Sequence, residues 1–332
     1  MQWKRNMDPV DFSRFKDILI EDEEGDIRPM SEPYFKAKEI APGTWQVLSD
    51  GDYTYVLEGD DELVCIDSGL GAGNIRKFCQ TLSDKPLYRL INTHGHLDHT
   101  LNNYLFDVVY MSEDTYRHRF EPFGEFVGME VPIDYPVSIL KDGDIFNLKG
   151  RPLEVYAIDE HMKGSLQFLD RKNRILFCGD ELNGNFFDSR ISLEHSFKNL
   201  QRWKSFRGDY DLLCAGNGIH DASYVDKYYD IVKYLLDGHW NEGEEFFIPY
   251  EDRVASIDKK NGKEVFARRA PHFKYLVPIL KKAGYQKALD LNHGRANFCY
   301  TRKLSPDGPF DRQYMRDGVR VCYYINRIWD TK

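Results

Sequence analysis

Residues Thr93–Thr100 read THGHLDHT, which places His94, His96, Asp98 and His99 within six residues at the end of an apolar run, YRLINTH (Tyr88–His94). A buried strand that stops there aims its last residues and the loop that follows into one space. Divalent ions of borderline softness, zinc first among them, take imidazole nitrogen and carboxylate oxygen, and a catalytic site uses about three protein ligands per ion with one position left open. Four ligand side chains on one short loop cannot all serve a single open ion. The spacing therefore predicts two ions per chain, with iron or manganese as the alternatives to zinc.

Working outward, TWQVL, YTYVLEG and ELVCIDSG (Thr44–Leu48, Tyr53–Gly59 and Glu62–Gly69) are β-rich runs separated by Gly and Asp turns, the pattern of a meander. Helices are predicted over Asn74–Leu82, from Glu113, over Leu193–Phe206 and over Tyr224–Asp237, with strands near Ile145, Leu153–Ile158, Ser165–Asp170, Arg174–Asp180 and Asp211–Gly216. The alternation gives a layered α/β domain over residues 36–240. A charged arm, residues 1–35, with a short helix around Phe12–Leu19, precedes it; a module at 241–332, with a helix over His272–Lys282 and a final strand VRVCYYINRIW (Val319–Trp329), follows it.

Composition narrows the classes. Of 332 residues, 42% are hydrophobic and 14% aromatic, which excludes disordered, collagenous and low-complexity chains. No window approaches the ~18–20 consecutive apolar residues of a membrane helix, and the opening MQWKRNMDPVDFSRF lacks the apolar run of a secretory signal, so neither a membrane nor export is expected. The six cysteines form no CxxC pair, and Cys65, Cys178 and Cys214 sit inside apolar runs, as reduced core thiols of a cytoplasmic protein would. The net charge of −9 argues against a nucleic-acid partner. Residues 251–332 nevertheless carry 18 Lys and Arg against 9 Asp and Glu, so the last quarter is basic.

The HxHxDH run after a strand, preceded by a meander ending in Asp67-Ser68-Gly69, resembles the metallo-β-lactamase-fold hydrolase superfamily. The resemblance spans about Gly43–Leu236 and implies an αββα sandwich with the metal site at one edge of the sheets, here with a C-terminal α+β extension. It also implies the remaining ligands: His161 ahead of Gly164-Ser165-Leu166, and Asp180 in RILFCGD as the carboxylate between the two ions. The ligand set is similar to that of hydroxyacylglutathione hydrolases and lactonases. The resemblance departs at LLCAGNGIHDAS, where Asn217 stands at the position of the last histidine and His220 follows three residues on. His220 is the expected ligand, with Asn217 the alternative. By similarity one ion takes His94, His96 and His161, the other Asp98, His99 and His220, and Asp67 stands behind the histidines to orient them.

Water between two divalent ions loses much of its pKa, so hydroxide forms near neutral pH and hydrolysis is the expected reaction, with Asp98 and Asp180 as the catalytic carboxylates. A small acyl substrate (lactone, thioester, ester or amide) is expected; a small phosphodiester and the iron chemistry of persulfide dioxygenases are the alternatives. An irregular aromatic stretch over Glu113–Val137, with Tyr116, Phe120 and Phe123, reads as a wall over the metals, and Asn183 and Phe186 would emerge beside Asp180. The sequence leaves a homo-oligomer open.

Overall fold

The computed structural model describes residues 19–21, 27–29, 35–49, 52–69, 74–119, 134–245, 256–258, 263–269, 297–300 and 312–330. The helix expected around Phe12–Leu19 and the one over His272–Lys282 lie outside these residues, except that Leu19 opens a short strand paired with Ile27–Pro29.

Two sheets of seven and six strands carry the structure. The first runs, in spatial order, Lys36–Ala41, Thr44–Ser49, Asp52–Glu58, Leu63–Ile66, Leu87–Ile91, Val108–Met111 and Val137–Ile139; its first four strands are the antiparallel meander and the rest join in parallel. The second runs Ile145–Phe146, Leu153–Tyr156, Gln167–Asp170, Ile175–Gly179, Leu212–Ala215 and Gly218–Asp221, antiparallel except for the pair Ile175–Gly179 with Leu212–Ala215.

Period-two alternation along Ile175–Gly179 sorts two cores. Ile175 and Phe177 point at the first sheet, joining Tyr55, Leu57, Val64, Ile66, Ile91, Val155 and Phe168 between the layers. Leu176 and Cys178 point the other way, against the helices Leu193–Ser205 and Ser223–Tyr234. Side chains of successive strand residues face opposite sides, so a continuous apolar strand marks a sheet covered on both faces. The helix Ile75–Gln80 buries Ile75 and Cys79, and its N-cap Asn74 accepts from the Lys77 amide. The layering is the αββα sandwich.

Helix starts fall within a residue of expectation: Asn74, Ser112 and Ser192 each accept a backbone N–H three residues on. The 13-residue helix Leu193–Ser205 ends one residue short of the expected Phe206, and the helix expected over Tyr224–Asp237 runs from Ser223 to Tyr234 before an irregular turn. The final strand is shorter than Val319–Trp329, because only Val319–Tyr323 pairs, antiparallel with Arg312–Arg316 and parallel with Phe186–Asp188. The five cysteines whose side chains are described are free and buried. Among the described residues no helix is long and apolar enough to cross a membrane.

Residues beyond 311 share the helix-side core: Val319, Val321, Tyr323 and Ile328 are buried in it with Trp203 and Tyr228. The segment is also pinned to the start of the Leu193–Ser205 helix, where the Leu193 and Glu194 amides donate to the carbonyls of Arg327 and Ile328 and the Ser192 hydroxyl donates to Asp330. A buried side chain of this size contributes about 1.5–3 kcal/mol, against a total stability of about 5–15 kcal/mol. Ending the chain at residue 311 is expected to abolish cooperative unfolding in a urea titration; an unchanged midpoint would show that the strand is not part of this core.

Candidate metal centre

The parallel pairs Leu63–Ile66 with Leu87–Ile91 and Ile175–Gly179 with Leu212–Ala215 deliver Asp67, the 93–100 loop, Asp180 and Gly216 to one edge of the sandwich. The two sheets are tied there: the Tyr53 amide donates to the Gly216 carbonyl at 2.8 Å, the Leu166 amide to the Thr93 carbonyl at 2.7 Å and the Tyr55 hydroxyl to the Ala215 carbonyl at 2.7 Å.

Asp67 anchors the edge. It holds φ at 60°, a conformation uncommon for any residue but glycine. Its carboxylate accepts from the Thr93 amide at 2.8 Å, the Thr93 hydroxyl at 2.7 Å and His99 Nδ1 at 2.8 Å. These bonds over-determine the strained backbone. They also orient His99: with Nδ1–H donated to Asp67, Nε2 faces inward toward Asp180. The motif itself turns helical, Leu97–Thr100 forming one turn, which a reading of the run as a simple loop does not anticipate.

Two groups of donor atoms result. His94, His96, His161 and Asp180 each offer one within 4.8 Å of the others, as do Asp98, His99 and Asp180. Asp180 belongs to both. His161 Nε2 faces His96 Nδ1 at 2.9 Å, the His94 and His99 rings lie 4.1 Å apart, and His99 Nε2 stands 3.4 Å from Asp180 Oδ1. The Nε2 atoms of both His94 and His99 are buried with no hydrogen-bond partner. Such atoms are costly unless something takes their lone pairs, and a cation does so. The donor set of nitrogen and carboxylate oxygen fits a divalent transition metal.

The electrostatics favour the ligating forms of His94, His96 and Asp180 but not of His99. Burial, helped for His94 by His99 and for His96 by His161, holds both imidazoles well below their ordinary pKa, His96 down to about 2. Burial works the same way on His99, but Asp180, Asp67 and Asp98 outweigh it and raise this imidazole. Burial would raise Asp180, yet the facing His99, His161 and His94 hold its carboxyl well below the usual range. Neutral His94 and His96 beside an ionised Asp180 are in the forms that bind a metal, whereas His99 holds its proton against the carboxylates and would release it to an ion.

His220 is not brought into either group. It pairs with Leu213 in the hairpin beyond the Gly216-Asn217 turn, its Nε2 lies 2.8 Å from Asn217 Oδ1, and its ring packs against Gly184. Asn217 is exposed at the turn, where its side-chain oxygen faces His220 and its amide donates to the Asn183 carbonyl at 3.4 Å. Asn183 stands beside Asp180, but its amide donates to the Asp180 carbonyl at 2.7 Å. Phe186 is half-buried under the Arg320 guanidinium, and Tyr116 is half-buried with Arg119 stacked on its ring at 3.7 Å. Phe120 and Phe123 lie outside the described residues, as does most of the aromatic stretch.

Gly216 is a site residue that the sequence reading passed over. A Cβ there would overlap Asp180 Oδ1 and stand 2.9 Å from His99 Cε1, so only glycine leaves room for both ligands. The signal was present: a glycine directly after a buried strand whose neighbour strand ends in Gly179-Asp180.

A family model described as the metallo-beta-lactamase superfamily matches residues 50–216. The human acyl-coenzyme A thioesterase MBLAC2 is 28% identical over 175 residues, covering 42% of this chain and 62% of that protein. The atrochrysone carboxyl ACP thioesterase of Aspergillus fumigatus is 25% identical over 171 residues, 49% of this chain and 50% of that protein. The match thus spans less than two thirds of either relative. Among solved structures, the inverting sec-alkylsulfatase Pisa1 from Pseudomonas sp. superposes with a TM-score of 0.51 at 14% identity, over 70% of this chain and 52% of that one.

Partners that orient metal ligands typically contribute 10–100-fold to affinity. Asp67→Ala is expected to weaken divalent-metal binding by about that factor, measured by competition with a chromogenic chelator. Gly216→Ala is expected to do at least as much. Unchanged affinity in both variants would contradict the geometry.

Proposed function

The chain belongs to the metallo-beta-lactamase superfamily, and on that footing we propose that it is a dinuclear metallohydrolase, with zinc as the preferred ion, that cleaves a small acyl substrate of the thioester class. The observation that carries the reading is the membership of Asp180 in both donor groups, beside the buried His94 Nε2, which has no hydrogen-bond partner. His94, His96 and His161 would hold one ion, Asp98 and His99 the other, with Asp180 serving both. The second group has one fewer histidine than the resemblance implied, because His220 is engaged with Asn217 and packs against Gly184. Ions held there supply Lewis-acid polarisation of a carbonyl and a lowered water pKa.

The chain's own residues do the rest. Asp67 and the Thr93 hydroxyl keep the ring nitrogens of His99 and His94 aimed inward, since Thr93 Oγ1 bonds both Asp67 and, at 3.1 Å, His94 Nδ1. Asp98 is the carboxylate of the second group able to take up a proton from attacking water and return it to the departing group. A thiol leaving group, with a pKa of about 8.5, departs far more readily than an alkoxide and asks little of a general acid. The names of the two curated relatives, an acyl-coenzyme A thioesterase and an acyl-carrier-protein thioesterase, support the thioester class over lactones, esters and amides. The substrate would be a small molecule handled in the cytoplasm, and the acidic balance of the chain supports a reading without nucleic acid.

A panel of acyl-coenzyme A thioesters, simple esters, lactones and a chromogenic phosphodiester tests the proposal. Thioester turnover should predominate, vanish with chelator, return with zinc, and fall at least about 100-fold in His96→Ala and Asp180→Ala. Chelator-insensitive turnover, or full activity in both variants, would refute it.

A further inference from the structure

Asp180 is followed directly by a second buried acid. Glu181 is 4% exposed and points away from the metal centre, into the loop that carries His161. One of its oxygens, Oε2, accepts from the backbone amides of Glu160 and His161, each at 2.8 Å; the other, Oε1, faces the Met162 amide at 3.5 Å. Three consecutive amides therefore converge on one carboxylate. The Glu160 side chain, 3% exposed, extends the tie: its Oε1 accepts from the Ser196 hydroxyl at 2.8 Å and the Arg190 amide at 3.0 Å, and its Oε2 from Asn199 at 3.0 Å. Ser196 and Asn199 both belong to the helix Leu193–Ser205.

We propose that Glu181 is a positioning residue that sets the place of His161 relative to Asp180; the inference rests on the metal reading above and names how one ligand of that site is held. His161 sits in the turn between Leu153–Tyr156 and Gln167–Asp170, where no strand pairing fixes it. An irregular segment keeps its shape only where its backbone donors find partners, and a buried carboxylate one residue from Asp180 supplies them. Because Glu181 and Asp180 are adjacent, the loop and the shared carboxylate move as one piece. The acceptor must be at glutamate's reach. Glutamine keeps an oxygen where Oε2 accepts both short bonds, whereas aspartate keeps the charge but withdraws both oxygens by one methylene.

Three variants separate reach from charge: Glu181→Gln, Glu181→Asp and Glu181→Ala. Two readouts are taken on the full-length protein, cobalt(II) affinity with its visible spectrum, and hydrogen–deuterium exchange of a peptide spanning residues 158–166, the latter independent of any metal. Glu181→Gln is expected to stay within about threefold of wild type in affinity, and Glu181→Asp and Glu181→Ala to lose 10–100-fold with an altered spectrum. Exchange of the 160–162 amides should rise at least tenfold in the aspartate and alanine variants and hold in the glutamine variant. Should Glu181→Ala fail to fold, the order of Gln over Asp still decides. Aspartate matching wild type while glutamine fails would assign a charge role and overturn the proposal, as would unchanged exchange in all variants. Wild-type protein that binds no cobalt while exchange follows the expected order would refute the metal reading and leave the brace standing.

Discussion

The Asp180 carboxylate lies among imidazoles from two separate stretches of chain, within 4.8 Å of donor atoms of His94, His96 and His161 in one group and of Asp98 and His99 in the other. Unit charges about 4 Å apart interact by about 4 kcal/mol at the effective dielectric of a partly buried site, so the groups here cannot be placed independently. Burial strips His94 and His96 of their protons, the carboxylates of Asp180, Asp67 and Asp98 raise His99, and the facing imidazoles keep Asp180 ionised. The result is a cluster of imidazole nitrogens around one shared carboxylate, stable only if the surrounding fold forbids its relaxation.

The fold forbids it by making every strand end serve twice. Ile175 and Phe177 pack between the sheets, Leu176 and Cys178 pack under the helices, and the same strand then releases Asp180 into the centre and Glu181 behind it. Leu212–Ala215 does likewise before Gly216, whose missing side chain admits the ligands of its neighbours. Asp67 ends a fully buried strand in a left-handed backbone conformation that the hydrogen bonds of its carboxylate help hold. Stability is thereby spent at the edge and recovered in two cores, one of which is completed by Val319–Tyr323 from the far end of the chain.

Much of this was legible because it is local. The HxHxDH spacing, the Gly179-Asp180 strand end and the helix starts at Ile75, Glu113 and Leu193 are short-range patterns, and continuous apolar strands announce a sheet covered on both faces. What escaped is non-local. The gap-free position of Asn217 and the nearness of His220 in sequence could not show that a two-residue hairpin lays the His220 ring against Gly184 and its Nε2 against Asn217. The need for glycine at 216 arises from Asp180 and His99, side chains distant in sequence. Glu181 reads as one more acid in GDEL until the 160–162 amides are seen to face it. The place of Val321 and Tyr323 in the helix-side core depends on a parallel pairing with Phe186–Asp188 that no residue pattern specifies.

The central claim is that one carboxylate serves two ions. Anomalous diffraction from crystals of protein purified without chelator or added metal, collected on both sides of each candidate absorption edge, tests it most directly. The account predicts two peaks per chain flanking the Asp180 carboxylate, one beside His94, His96 and His161 and the other beside Asp98 and His99. A single peak, or peaks remote from Asp180, would contradict it.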